Sequence, residues 1–372
     1  MELLYEVWLH AISNFEPDLA SKLSPLFETS TNMFTSCDQE ERLLRDLGIS
    51  GEFAKRLERP EFFKEAQDII EYCMENNIRI ITLDSEEYPE CLRHITLPPR
   101  ILFAKGSHLG IDNEVAVAVV GCRKPTEHGK GFARLIGKAL GENNITVISG
   151  MAEGIDGQAH KGALDAGGKT IAVLAGSVDF VYPKCHEKLY REILDNGGTI
   201  LSERPPKTPV RKYFYQQRNR IITGLSQGTV FVEGKEASGT SITARLALED
   251  NKDIFAVPGS PMCWQSELPN RLISEGATIM TSADVPAEYY RELFPHMVSK
   301  RSEICKEKPA ENLLTEDERI LNFLKDNGSI AGIEDIAEAL GISANILSGR
   351  LTILCIKGKL RQESGNRYIL TE

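Results

Sequence analysis

Short runs of aliphatic and β-branched residues recur through the middle of this chain, each followed by a stretch in which apolar residues return at three- and four-residue intervals. Val115–Val120, Thr146–Ile148, Thr170–Leu174, Thr199–Leu201, Thr229–Val232, Asp253–Val257 and Thr278–Met280 read as strands, with helices such as Gly129–Leu140 and Asp156–Ala166 between most of them. Continuous apolar strands separated by helices predict a parallel sheet covered on both faces. The expected fold class is therefore α/β, with a Rossmann-like, doubly wound, mostly parallel sheet as core.

The flanks carry different patterns. Ala11–Leu26, Glu40–Asp46, Gly51–Leu57 and Glu61–Asn76 have helical periodicity, so residues 1–78 predict a small helical, SAM-like domain. Arg79–Thr82 reads as a strand, and Pro98-Pro99 leads into the main sheet; the core is assigned to residues 79–298. Residues 299–312 are rich in charge, with Pro309 near their end, as expected of a linker. Within residues 313–372, Thr315–Asp326 opens with a Thr cap and Glu318, Gly332–Leu340 and Ser343–Ile356 follow as helices, and Arg361–Leu370 folds back around Gly365-Asn366. Three helices and a hairpin predict a winged helix-turn-helix.

Composition narrows the class of protein. Among 372 residues, Met1–His10 has no basic run ahead of an apolar segment, and no apolar run is long enough to span a bilayer, so neither secretion nor a membrane is expected. The cysteines include no CxxC pair, which points to a reduced, cytoplasmic protein without a structural metal. A net charge of −11 excludes a surface that coats nucleic acid all round. Local charge changes that picture: from Arg204 to Val232 the basic residues Arg204, Lys207, Arg211, Lys212, Arg218 and Arg220 occur with no acidic residue.

Several loops at strand ends have the chemistry of anion sites. Val120-Gly121-Cys122-Arg123 ends the first core strand ahead of a helix start, where free backbone N–H groups favour phosphate. The glycine spacing is not GxGxxG, so no dinucleotide cofactor is expected. In Ser149–Asp156, Asp156 reads as a helix N-cap. Asp179–Lys184 and Lys212–Ile222 interleave cations with aromatics, which suits a single strand because phosphates need charge and unstacked bases need a flat apolar face. Glu233–Thr243 supplies small residues and hydroxyls at a helix start but lacks the GK[ST] of an ATP-hydrolysing loop.

Taken in order, VVGCRKPT, ISGMAEGIDGQAH, TIAVLAGSVDFVYP, LSERPP, RNRIITGLS, VEGKEASGTSITARLAL and FAVPGS resemble the successive signatures of the DprA/Smf family of DNA-processing proteins, from Val115 to about Ala283. The resemblance implies a core that binds single-stranded DNA without chemistry, forms a homodimer, and delivers DNA to the RecA recombinase in recombination or natural transformation. On the matching positions, Gly121 and Arg123 would grip phosphate, Lys184, Lys212, Arg218 and Arg220 would line the channel, Tyr215 would stack on a base, and Gly239, Thr240 and Ser241 would hold the backbone. Asn270, Ile273 and Ile279 fall in the segment that family members use for self-association. Cys122, Glu153, His186, Gln216 and Leu268-Pro269 depart from the usual pattern; Glu153 replaces a basic residue and subtracts attraction from the channel. No cofactor is implied.

Two other readings compete. Related folds host nucleotide hydrolases that cleave a base from ribose phosphate with a carboxylate beside a glycine-rich loop, and Glu233 or Glu236 could supply it. The C-terminal unit could serve a transcription regulator, contacting duplex DNA or a protein, although Ser343–Ile356 offers Arg350 as its one basic residue for a groove.

Overall fold

The computed structural model describes residues 2–13, 60–300, 316–326, 330–340, 347, 351, 354–355, 359–363 and 367–370. Most of the expected N-terminal helical domain, residues 14–59, and most of the expected linker lie outside the described residues. Contacts divide the chain into two compact units, Met1–Ile304 and Cys305–Glu372.

The first unit is built on a nine-stranded sheet of β1 (Arg79–Thr82), β2 (Ile101–Gly106), β3 (Ala116–Val120), β4 (Thr146–Ser149), β5 (Thr170–Val173), β6 (Thr199–Ser202), β7 (Gly228–Phe231), β8 (Asp253–Ala256) and β9 (Thr278–Ile279). Their spatial order is β1-β2-β6-β5-β4-β3-β7-β8-β9, parallel from β6 to β9. Every residue of β3, β4 and β5 is buried, because helices cover both faces, and this is why their sequence lacks polar alternation. The chain winds from β3 outward to β6 and then returns to place β7 on the other side of β3. That reversal is a topological switch, where ligands bind beyond the strands' carboxyl ends.

One strand escaped the sequence pattern. β2 follows Pro98-Pro99 and inserts antiparallel between β1 and β6, so the sheet is mixed at that edge. The described helices of eight residues or more in this unit are α1 (Glu2–Ile12), α2 (Pro60–Glu75), α3 (Glu127–Glu142), α4 (Ile155–Asp165), α5 (Glu187–Asp195), α6 (Phe214–Gly224), α7 (Gly239–Glu249), α8 (Glu267–Ser274) and α9 (Val285–Leu293). The helix expected from Gly129 begins earlier, at Glu127, because Thr126 caps it by accepting from Gly129 N–H at 3.0 Å.

α1 and α2 share a core with the sheet: Trp8, Leu9, Ile12, Ala66 and Cys73 are buried with Phe103, Ala172, Leu174 and Ile200. Polar groups pin the same contact. Glu6 pairs with Arg100 at 2.7 Å, and His10 Nε2 donates to the Glu203 carbonyl at 3.0 Å. The second unit contains α10 (Glu316–Asp326), α11 (Ile333–Leu340) and a three-stranded sheet of β10 (Ile330–Gly332), β11 (Leu360–Glu363) and β12 (Arg367–Leu370). Ile320, Leu324, Ile336, Leu347, Leu351, Leu354 and Tyr368 form its core. β10 was not expected; most of the predicted third helix, Ser343–Ile356, lies outside the described residues.

Two buried histidines make the first unit sensitive to acid. Burial pushes His10 down to about 4 and His160 down to about 3. For His160 the bonding explains the preference for the neutral ring: the Thr170 hydroxyl donates to Val147 O at 2.8 Å, so it accepts from Nδ1–H at 2.7 Å, and Nε2 has no partner among the described residues. Below the ordinary histidine value near 6.5 the unfolded chain takes up protons that the folded one refuses, so stability falls as pH drops from there toward the folded values. Each histidine contributes a slope of about 1.4 kcal/mol per pH unit in that window. Thermal unfolding midpoints measured from about pH 7 to about pH 5 should fall, and His160→Asn should flatten the fall; an unchanged profile in the variant would contradict this role.

Candidate nucleic-acid interface

Three loops at the switch point form the site. The β3–α3 loop carries Gly121, Cys122 and Arg123; the β4–α4 loop carries Gly150 to Gly154; the β7–α7 loop carries Glu233 to Ser238. Gly154, at φ +87°, lets the first two loops touch, because a Cβ there would lie 2.5 Å from the Cys122 carbonyl. Asp156 corrects the expected cap: Gly154 is the N-cap of α4, and the buried Asp156 carboxylate accepts from the loop amides of Gly150 at 3.2 Å and Ala152 at 3.4 Å. Burial raises the Asp156 carboxyl above its ordinary value, and the neighbouring Arg218 charge opposes that rise.

The larger pocket, about 300 Å³, is lined by Gly121, Arg123, Tyr215, Arg218, Gly239 and Thr240, together with Asn219, Lys235 and Trp264. It brings together candidate residues spread over more than a hundred positions. A smaller pocket of about 80 Å³ adjoins it and is lined by Glu153, Phe180, Tyr182 and Pro183 among others. Arg123 and Tyr215 line both pockets. The exposed Arg123 guanidinium lies over the half-buried Tyr215 ring, 4.3 Å from its centroid. Space is open at Gly239, where a Cβ would meet nothing within 4 Å, so a backbone phosphate could reach the first amides of α7.

The basic strip divides in two. Lys207, Arg211 and Lys212 are exposed, whereas Arg204, Arg218 and Arg220 are buried. Arg220 pairs with the buried Glu203 at 2.6 Å and lines neither pocket. Arg218 donates to the carbonyls of Gly150, at 2.8 Å, and Val173, and burial lowers it to about 10. It borders the larger pocket while tying the β4–α4 loop to the end of β5. Glu203 stands one residue ahead of the acid-free strip, and this position was the sequence signal that part of the strip's charge is answered internally.

Other candidates also find definite places. Lys184 is exposed and follows Pro183 of the smaller pocket; Lys212 is exposed two residues past Val210, which lines the same pocket. Ser241 does not line the larger pocket: its hydroxyl donates to Ser238 O at 2.8 Å and accepts from Ser238 N–H at 3.3 Å, capping α7. Asn270 bonds the backbone of Gly259 through both ends of its amide, at 2.9 and 3.1 Å. Ile273 packs against the core, and Ile279 is 44% exposed on the edge strand β9. Pro269 lies in the first turn of α8, where the missing N–H costs nothing.

The phosphate site expected where α3 begins is filled by the protein itself. The Glu233 carboxylate accepts from Thr126 N–H at 2.8 Å and Thr126 O–H at 2.5 Å, placing a negative charge at the helix start. Sequence reasoning also missed Trp264, 45% exposed beside Lys235 and Asn219 in the larger pocket. Its signal was a tryptophan in the loop after β8, at the carboxyl edge of the sheet.

Residues 79–291 match the family described as DNA recombination-mediator protein A. Over 224 residues the chain is 37% identical to DNA processing protein DprA of Bacillus subtilis, covering 60% of this chain and 75% of that one. Over 208 residues it is 40% identical to Protein Smf of Escherichia coli, covering 56% of this chain and 55% of that one, so the match takes in only about half of that relative's length. A solved structure of DNA processing protein A from Helicobacter pylori, described for its single-stranded DNA binding mode, matches 58% of this chain and 96% of its own with a TM-score of 0.52 and 28% identity. Seven ordered sequence blocks, a Rossmann-like sheet that reverses at β3 and a family match spanning that sheet agree: this chain belongs to the DprA/Smf family of DNA recombination-mediator proteins.

Proposed function

We propose that this chain binds single-stranded DNA across the two adjoining pockets and delivers it to the RecA recombinase, without cleaving or modifying it. The observation that carries the reading is the exposed Arg123 guanidinium stacked over Tyr215 between the pockets, with the open Gly239–Thr240 amides across the larger one. A cation over a flat ring beside free amides suits a strand whose bases are unpaired, since duplex bases cannot present their faces. Lys184 and Lys212 extend the path, and Arg218 positions the β4–α4 loop beneath it. The Helicobacter pylori relative's described mode of binding supports the same ligand.

Self-association through Asn270, Ile273 and Ile279, a winged-helix form for the C-terminal unit, its contact with duplex DNA or protein, and action in the cytoplasm belong to this proposal. No described helix is long and apolar enough to cross a membrane. Nucleotide hydrolysis finds less support, because Glu233 is bonded to Thr126 and Glu236 pairs with Arg271 at 3.3 Å. Binding of a labelled oligonucleotide, single-stranded against duplex, to the full chain and to Met1–Ile304 tests the reading. The larger unit alone should keep its preference for single strands; equal binding of duplex by that unit would overturn the assignment.

A further inference from the structure

We propose that the smaller pocket reads the edge of one base, with Glu153 selecting a base that presents an exocyclic amine and rejecting thymine. This rests on the single-strand reading above and adds sequence preference to it. The pocket has apolar walls, Leu174, Phe180, Tyr182 and Val210, and Tyr215 separates it from the larger one. Phe180 and Tyr182 are 41% and 48% exposed and line the same pocket, so two aromatic faces are available there for something flat to cover. An unstacked base is such an object.

Charge at the pocket then decides which base. Glu153 lines the smaller pocket and not the larger one, where Gly239, Thr240 and Lys235 await the backbone. A carboxylate there repels phosphate, so it is placed to meet a group that donates. Its Oε1 accepts from the Cys185 thiol at 3.4 Å, and Oε2 has no donor among the described residues. An ionised carboxylate only accepts hydrogen bonds. Cytosine offers N4–H₂ where thymine offers the O4 carbonyl, so the same approach that bonds one repels the other. In a single strand that edge is free of a pairing partner.

Equal-length oligodeoxycytidine and oligodeoxythymidine, titrated against the full chain at neutral to mildly alkaline pH by fluorescence anisotropy, test the proposal. The wild-type chain should bind the cytidine strand at least about fivefold more tightly, the low end for one good base contact. Glu153→Gln, whose amide can donate to O4 as well as accept from N4, should bring the ratio close to one, chiefly by tightening the thymidine strand. Glu153 is exposed, so the variant keeps the fold, and the ratio of two ligands on one preparation cancels any loss of active protein. Equal tight binding of both strands by the wild type, or an undiminished preference in Glu153→Gln, overturns base selection and leaves the single-strand reading standing. Failure of both strands to bind overturns that reading and the proposal with it.

Discussion

Tyr215→Ala is expected to weaken single-strand binding roughly five- to 150-fold, the equivalent of about 1–3 kcal/mol for one stacked base, while leaving the salt dependence nearly unchanged. The ring is half-buried between two pockets with Arg123 on one face, so its removal takes away a surface for a base while the exposed Arg123 cation stays in place. Arg123→Ala should behave differently. Its guanidinium is exposed and, among the described residues, makes no salt bridge, so its loss should remove one phosphate contact and lower the slope of log affinity against log salt by about 0.7. Titrations at several salt concentrations, on variants with wild-type circular dichroism, separate the two effects. A folded Tyr215→Ala protein with wild-type affinity would remove stacking from the site.

Arg218→Ala is expected to act on the fold before it acts on DNA, costing about 3–5 kcal/mol because a buried carboxylate loses its compensating charge. Asp156 is buried beside it, and the carbonyls of Gly150 and Val173 would lose their donor in the same step. The space left is not simply refillable, since Gly150 packs so closely that a Cβ on it would lie 2.4 Å from the guanidinium. In a unit of this size the unfolding midpoint should drop by roughly 5–8 °C. A calorimetric midpoint within a degree or two of wild type, joined to a reduced salt slope, would instead make Arg218 a surface phosphate contact. The paired Arg220 and Glu203 predict the same priority of structure over binding for Arg220.

Much of the architecture was legible in the sequence because it depends on local patterning. Strands buried on both faces must be apolar throughout, so Ala116–Val120 and Thr170–Val173 announce themselves, and glycine-rich loops at their ends mark where a ligand can approach backbone. The chemistry proposed for single-strand binding is local in the same way: Tyr213, Phe214 and Tyr215 stand between Lys212 and Arg218 regardless of what surrounds them.

Which of those residues line the pockets was decided by the tertiary structure. Arg123, Arg218 and Arg220 carry the same charge in sequence, yet one lies exposed on a tyrosine ring and two are buried among carbonyls and carboxylates. Burial of an arginine depends on acceptors brought from far along the chain, here Gly150, Val173 and Glu203, and no local pattern encodes that distance. Glu233 likewise reads as a loose carboxylate beside a glycine loop until the parallel pairing of β7 with β3 brings it to Thr126. Trp264 joins the pocket only because β8 ends beside β7. Periodicity and composition determine which elements form and what chemistry the chain owns; long-range strand order determines which charges are neutralised inside and which remain for a partner.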